Sequence, residues 1–162
     1  MAVMDLEDKK YEKIAFPRWA SLPEIDLYMD QLIGFFEKKL AFLFSEDEKG
    51  VTSTMINNYV KHKVIMPPVK KKYSREHIAY LFVVITLKKA FSMSEIKAFI
   101  EKMSKKKTAN IAYDSFCGAV EDACEAVFEG RDVPKTEGVD PLLRSAALAV
   151  AFKLYSQSLL SE

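Results

Sequence analysis

Thr52-Ser53-Thr54-Met55-Ile56-Asn57-Asn58-Tyr59-Val60-Lys61, with Pro67-Pro68 and then Lys70-Lys71-Lys72-Tyr73-Ser74-Arg75 behind it, decides how this chain is read. Thr52 suits a helix N-cap, where its side-chain oxygen accepts from a free amide of the first turn. Met55, Ile56, Tyr59 and Val60 recur at helical spacing, predicting a short helix that ends near Lys61 with one narrow apolar stripe. The rest of its surface is Ser53, Thr54, Asn57, Asn58 and Lys61, amides and hydroxyls where Glu and Lys are usual. An Asn pair is poor in mid-helix, because its side chains compete for backbone hydrogen bonds. Such a local inconsistency points to function. A capping or buried polar contact is the plainer alternative for the pair.

From Lys49 to Arg75 the chain has no Asp or Glu, yet it carries Lys49, Lys61, Lys63, Lys70, Lys71, Lys72 and Arg75. The whole chain has a formal charge of only +1, so positive charge is concentrated in this stretch. A local field of this kind suits phosphate, because neutralising phosphates releases condensed counterions. A solvated lysine-rich loop is the competing account. Asn pairs bidentately with adenine in the major groove, and Ser or Thr contact bases or phosphates.

Outward from this core the pattern is helical. Ser21 with Glu24 fits a capping box, and Ile25, Tyr28, Met29, Leu32, Ile33, Phe36, Leu40 and Leu43 predict a first helix to about Phe44. Pro67 and Pro68 end the second helix region. Ser74 caps a third helix carrying Ile78, Leu81, Phe82, Ile85 and Leu87. Ser92 with Glu95 opens a fourth, from Ser94 to about Met103. Thr108 opens a fifth to about Glu129, and Asp140-Pro141 reads as N-cap and first position of a sixth ending near Leu160. The expected fold is all-α with a small wing. Three regions follow: a leader over 1–20, a winged helix-turn-helix over 21–104, and a helical dimerisation or effector region over 105–162, divided at Lys105-Lys106-Lys107. Phe16, Pro17 and Trp19 suggest that the end of the leader packs onto the rest.

Three motifs in order resemble MerR-type regulators. The stretch from Thr54 through Val60 to Pro67-Pro68 looks like their recognition helix and proline turn. Lys70-Lys71-Lys72-Tyr73-Ser74-Arg75-Glu76-His77-Ile78 resembles their basic wing and the entry to the next helix, and Phe91-Ser92-Met93-Ser94-Glu95-Ile96-Lys97 resembles the turn into the fourth. The combined string is closer still to an uncharacterised bacterial family, found mainly in Firmicutes, of MerR-like helix-turn-helix proteins. Asn57 stands where MerR proteins usually have arginine, Asn58 replaces the first tyrosine of a pair, and Lys63 replaces a glycine that allows a left-handed turn. The resemblance implies a recognition helix at about 52–62 in the major groove, with Ser53, Thr54, Asn57, Asn58 and Lys61 facing DNA. It implies a phosphate contact from Tyr59, a half-buried core tyrosine being the equal alternative. It also implies contacts to phosphates or an adjacent minor groove from Lys70, Lys71 and Lys72, with Tyr73, on a wing at 69–74, and a phosphate contact from Arg75.

Other chemistry is hard to find. Cys117 and Cys124 lie seven apart without further ligands nearby, so small buried residues in a reducing cytoplasm are expected, and no metal or cofactor. His62 and His77 flank the basic segment and read as polar surface or phosphate neighbours. No P-loop, Gly-rich fingerprint or nucleophile motif occurs, so an enzyme is not expected. No stretch approaches the roughly 20 apolar residues that cross a bilayer. The surplus of apolar residues after Ala109 predicts a homodimer, with a small-molecule effector site lined by Tyr113, Phe116 and Tyr155 as the sharper alternative. The expected function is therefore a cytoplasmic DNA-binding transcription regulator. A protein-interaction module that keeps the winged fold without binding DNA is the second expectation.

Overall fold

A computed structural model describes residues 14–133 and 138–162. The leader expected over 1–20 therefore lies largely outside the described residues. Among these are six α-helices and one two-stranded sheet: β1 (Leu27–Tyr28), α1 (Met29–Lys39), α2 (Ser53–Lys61), β2 (Lys72–Tyr73), α3 (Arg75–Leu87), α4 (Met93–Ser104), α5 (Ala109–Phe128) and α6 (Pro141–Leu160). Short 3₁₀ turns at Trp19–Ser21 and Ala41–Leu43 bracket the first helix.

Local capping sets most of these boundaries. Thr52 accepts from the Met55 amide at 3.2 Å at the start of α2, and Ser92 and Glu95 form the reciprocal capping box of α4. Asp140 accepts from the Leu142 and Leu143 amides, with Pro141 in the first turn of α6. Thr108 precedes α5 without capping it, its hydroxyl donating to Asn110 Oδ1 instead.

The first helix departs from expectation. It begins at Met29, not beside Ser21, and at that start the Gln31 side chain accepts from the Tyr28 amide at 3.0 Å. Leu27 and Tyr28 are extended because they pair antiparallel with Tyr73 and Lys72. That pairing takes Leu27 and Tyr28 out of the helix the periodicity had suggested. At the other end Leu40 turns the chain into the 3₁₀ segment, so α1 stops before Phe44.

Helix α3 is the hub. Ten of its residues, from His77 to Leu87 with Tyr80 excepted, are buried, as expected of a helix covered on all sides. Phe82 stands at its centre, its ring edge-on to Phe16, Phe35 and Phe36 at 6.2, 5.8 and 4.9 Å. Its fourth aromatic neighbour is Tyr113 of α5, at 6.0 Å. One buried cluster thus runs from Ile14 to Leu154, and Lys105-Lys106-Lys107 joins α4 to α5 without interrupting it. Deleting the Phe82 side chain would cost about 3–5 kcal/mol.

Helices α5 and α6 lie side by side and run the same way. Lys106, ahead of α5, pairs with Asp140 at the start of α6, while Phe128 at the end of α5 stacks on Tyr155 late in α6 at 5.3 Å. Small residues at the contact (Ala123, Ala146, Ala147 and Ala151) let the two backbones approach closely. Cys117 and Cys124 of α5 are fully buried as free thiols.

Candidate nucleic-acid interface

Helix α2 shows two faces. Ile56 and Tyr59 point into the core, whereas Ser53, Thr54, Asn57, Asn58 and Lys61 are all exposed. Positions 53, 57 and 61, with 54 and 58 beside them, lie one turn apart, so these side chains form a single stripe. No acidic residue interrupts it.

The helix ends in a Schellman motif. The Val64 amide donates to the Tyr59 carbonyl at 2.9 Å and the Lys63 amide to the Val60 carbonyl at 3.0 Å. This geometry puts Lys63 in the left-handed region at φ 58°. Val64 and Ile65 are buried just beyond it and anchor the connector. The end of α5 has the same motif, with Arg131 and Gly130 bonded to Ala126 and Val127, and there the left-handed position is a glycine at φ 66°. One chain thus builds one turn twice, once with the residue that suits it and once with lysine.

The next segment repeats the pattern. Val69 and Lys72 exchange both backbone hydrogen bonds, at 3.0 and 2.9 Å, closing a two-residue turn at Lys70-Lys71. Both central residues are left-handed, at φ 51° and 65°, as a type I′ hairpin turn demands. Asn-Gly is the usual occupant of such a turn. Among the described residues the non-glycine positions with positive φ are Lys63, Lys70 and Lys71, all lysines and all within the basic segment. Each costs roughly 1–2 kcal/mol of backbone strain. Lys70 and Lys71 are exposed at the tip, and Lys72 lies over the Tyr28 ring at 5.0 Å across the β1–β2 pair.

The remaining candidates serve the fold. Tyr59 and Tyr73 are 2 % exposed, so the expectation of phosphate contacts from their hydroxyls is corrected by their place in the core. Burial pushes the Tyr59 phenol up to about 12 and raises that of Tyr73. Arg75 donates to the Leu22 carbonyl at 3.2 Å and lies 3.6 Å from the exposed Glu24 carboxylate, tying the N-terminal segment to α3. His62 is exposed, but His77 is buried and is no phosphate neighbour. His77 takes the place Glu holds in a capping box. Its Nδ1 accepts from the Ser74 amide at 3.1 Å, which leaves Nε2 to donate to the Pro67 carbonyl at 3.0 Å. The imidazole therefore clamps the proline connector to the start of α3, directly behind the lysine hairpin.

Contacts that sequence reasoning missed hold the N-terminal segment. Glu121 of α5 accepts from both Arg18 guanidinium nitrogens and from the Phe16 amide, each at 2.8 Å. Asp114 accepts from the Trp19 amide, and Tyr113 donates to the Pro17 carbonyl at 2.6 Å. These partners lie about a hundred residues apart, so no local pattern announces them.

A family model described as "Domain of unknown function (DUF1836)" matches residues 17–116, more than half of the chain. The chain belongs to this family. The match to DUF1836 begins at the segment held by Glu121 and ends within α5. It therefore includes α2, the lysine hairpin and the His77 clamp. No curated protein and no solved structure matches the chain. No described helix is long and apolar enough to cross a membrane, and no described cluster of His, Cys, Asp and Glu could hold a metal ion.

Proposed function

We propose that this DUF1836 protein is a DNA-binding transcription regulator with a MerR-like winged helix-turn-helix. Residues 52–62 enter the major groove, and the hairpin at 69–74 rests on the phosphate backbone. The observation that carries the proposal is the identity of the left-handed residues. Lys63, Lys70 and Lys71 occupy the positions where glycine or asparagine would relieve strain. Strain kept at exposed turns, with a cation kept at each, is accounted for by a partner that needs the cations. Duplex phosphate is such a partner.

Further support comes from the order of parts: after β1 come two helices, the tight turn at Lys70-Lys71 leading into β2, and then α3, with β2 pairing back to β1. The stripe on α2 carries the side chains suited to base edges, with Asn57 and Asn58 as adenine readers and Ser53, Thr54 and Lys61 around them. Lys70, Lys71 and Lys72 fix the register, and Arg75, which ties the N-terminal segment to α3, adds a phosphate contact at the start of that helix. The working form is a homodimer on paired half-sites. Leu148, Phe152, Tyr155 and Leu159 of α6 follow coiled-coil spacing; Phe152 and Leu159 are exposed, while Leu148 and Tyr155 are half-buried against the core, Tyr155 beside Phe128. They provide the face for a second copy. A cytoplasmic regulator without catalytic chemistry is the whole of the proposal.

In vitro selection of duplexes tests it. Wild-type protein is expected to enrich a two-fold symmetric motif, and Asn57→Ala with Asn58→Ala is expected to relax one or two positions of each half-site. If wild-type protein enriches nothing over the starting pool, the recognition role of α2 is wrong.

A further inference from the structure

A cavity of about 580 Å³ opens between α3, α4 and the starts of α5 and α6. Its size falls within the range of small-molecule sites. The wall is mainly apolar: Val83 of α3, Phe99 and Met103 of α4, Ala112 and Phe116 of α5, and Leu143 of α6. Tyr113 and Phe116 line it as the sequence had suggested, but Tyr155 does not, being stacked on Phe128 at the far end of the helix pair.

The charges on the wall differ in what they already do. Lys106 is paired with Asp140, and Asp140 also caps α6. Glu76 sits in the first turn of α3, where the helix N-terminus offsets its charge. Lys107 is exposed, and its one hydrogen bond is a long contact of 3.5 Å to the Ser115 hydroxyl. An apolar chamber therefore carries one cation that no carboxylate among the described residues engages.

We infer that this cavity binds a small amphipathic carboxylate, its apolar body between α3, α4 and α5 and its carboxylate on the Lys107 ammonium. The inference concerns binding alone and does not depend on whether the chain binds DNA.

Isothermal titration calorimetry of the full chain with sodium decanoate and with decan-1-ol separates the two halves of the site. Wild-type protein is expected to bind decanoate saturably at one site per chain. Lys107→Ala, a surface change that leaves folding intact, should weaken decanoate about tenfold, since a charge-assisted hydrogen bond is lost. The same variant should bind decanol as the wild type does. Ala112→Phe, or Ala109→Phe where the first does not fold, should remove binding of both by filling the chamber. The inference is overturned if wild-type protein shows no saturable decanoate binding. It is equally overturned if Lys107→Ala binds decanoate with unchanged affinity, or if a folded chamber-filling variant still binds it.

Discussion

Changing Lys70 to Asn and Lys71 to Gly should make the protein more stable and a weaker ligand for DNA. Both lysines adopt left-handed backbone at the hairpin tip, at φ 51° and 65°. That conformation costs a non-glycine residue roughly 1–2 kcal/mol. Glycine removes the penalty but gives back about 0.5–1 kcal/mol through the greater freedom of the unfolded chain. Asparagine recovers part of the penalty by bonding its own backbone. The double variant should therefore gain about 1 kcal/mol. For a chain of this size that raises the melting temperature by about 2–4 °C, readable by circular dichroism. Two phosphate contacts would be lost with the ammonium groups. The plot of log affinity against log salt should flatten by about 1.8, from roughly 0.9 per contact. Fluorescence anisotropy on duplex fragments reads that slope. A variant that melts higher and binds duplex as tightly as wild type, with the same slope, would refute the link between strain and phosphate. A variant that melts lower would refute the strain itself.

Other consequences can be checked together. His77→Ala should cost about 1–3 kcal/mol in urea denaturation, because it leaves the Ser74 amide and the Pro67 carbonyl without their partner. Glu121→Ala should release the segment around Phe16 to Trp19, seen as faster limited proteolysis after Arg18 than in wild type, because three hydrogen bonds end on that carboxylate. Burial pushes the Cys117 and Cys124 thiols up to about 12. Neither should react with a thiol reagent at pH 8 in the folded protein, and both should react once it is unfolded. The sign for stability follows from the same shift. The fold prefers the neutral thiols, so their contribution is complete below their ordinary value near 9 and is lost as pH rises from there towards 12. Tyr59 adds a loss of the same sign over the upper part of that window. Denaturation midpoints measured from pH 8 to 11 should fall steadily.

What could be read from the sequence is what local chemistry decides. Thr52, Ser92 with Glu95, and Asp140-Pro141 marked their helix starts because a cap needs only residues within one turn. Lys63 stood out against the glycine of the MerR pattern, and the chain there is left-handed. Residues 27–28 could not be read the same way. Their apolar spacing suits a helix, but a partner strand some 45 residues later takes their backbone groups. The turn at Lys70-Lys71 gave no signal either, since the residues that announce a type I′ turn are Asn and Gly. Tyr59 stood on the apolar stripe of its helix, so its burial was open to local reading, whereas nothing local marked Tyr73 as buried. His77 lay in a capping position normally filled by Glu or Gln, which hid its role.

The most direct test of the central claim is duplex binding across a salt series, comparing wild-type protein with Lys70→Ala, Lys71→Ala and Lys72→Ala combined. The expected result is an affinity that falls steeply with salt in the wild type, and a slope shallower by up to about 2.7 in the triple variant, at roughly 0.9 per contact. Should neither protein bind duplex at low salt, or should the two slopes coincide, the hairpin does not contact DNA and the regulator proposal fails.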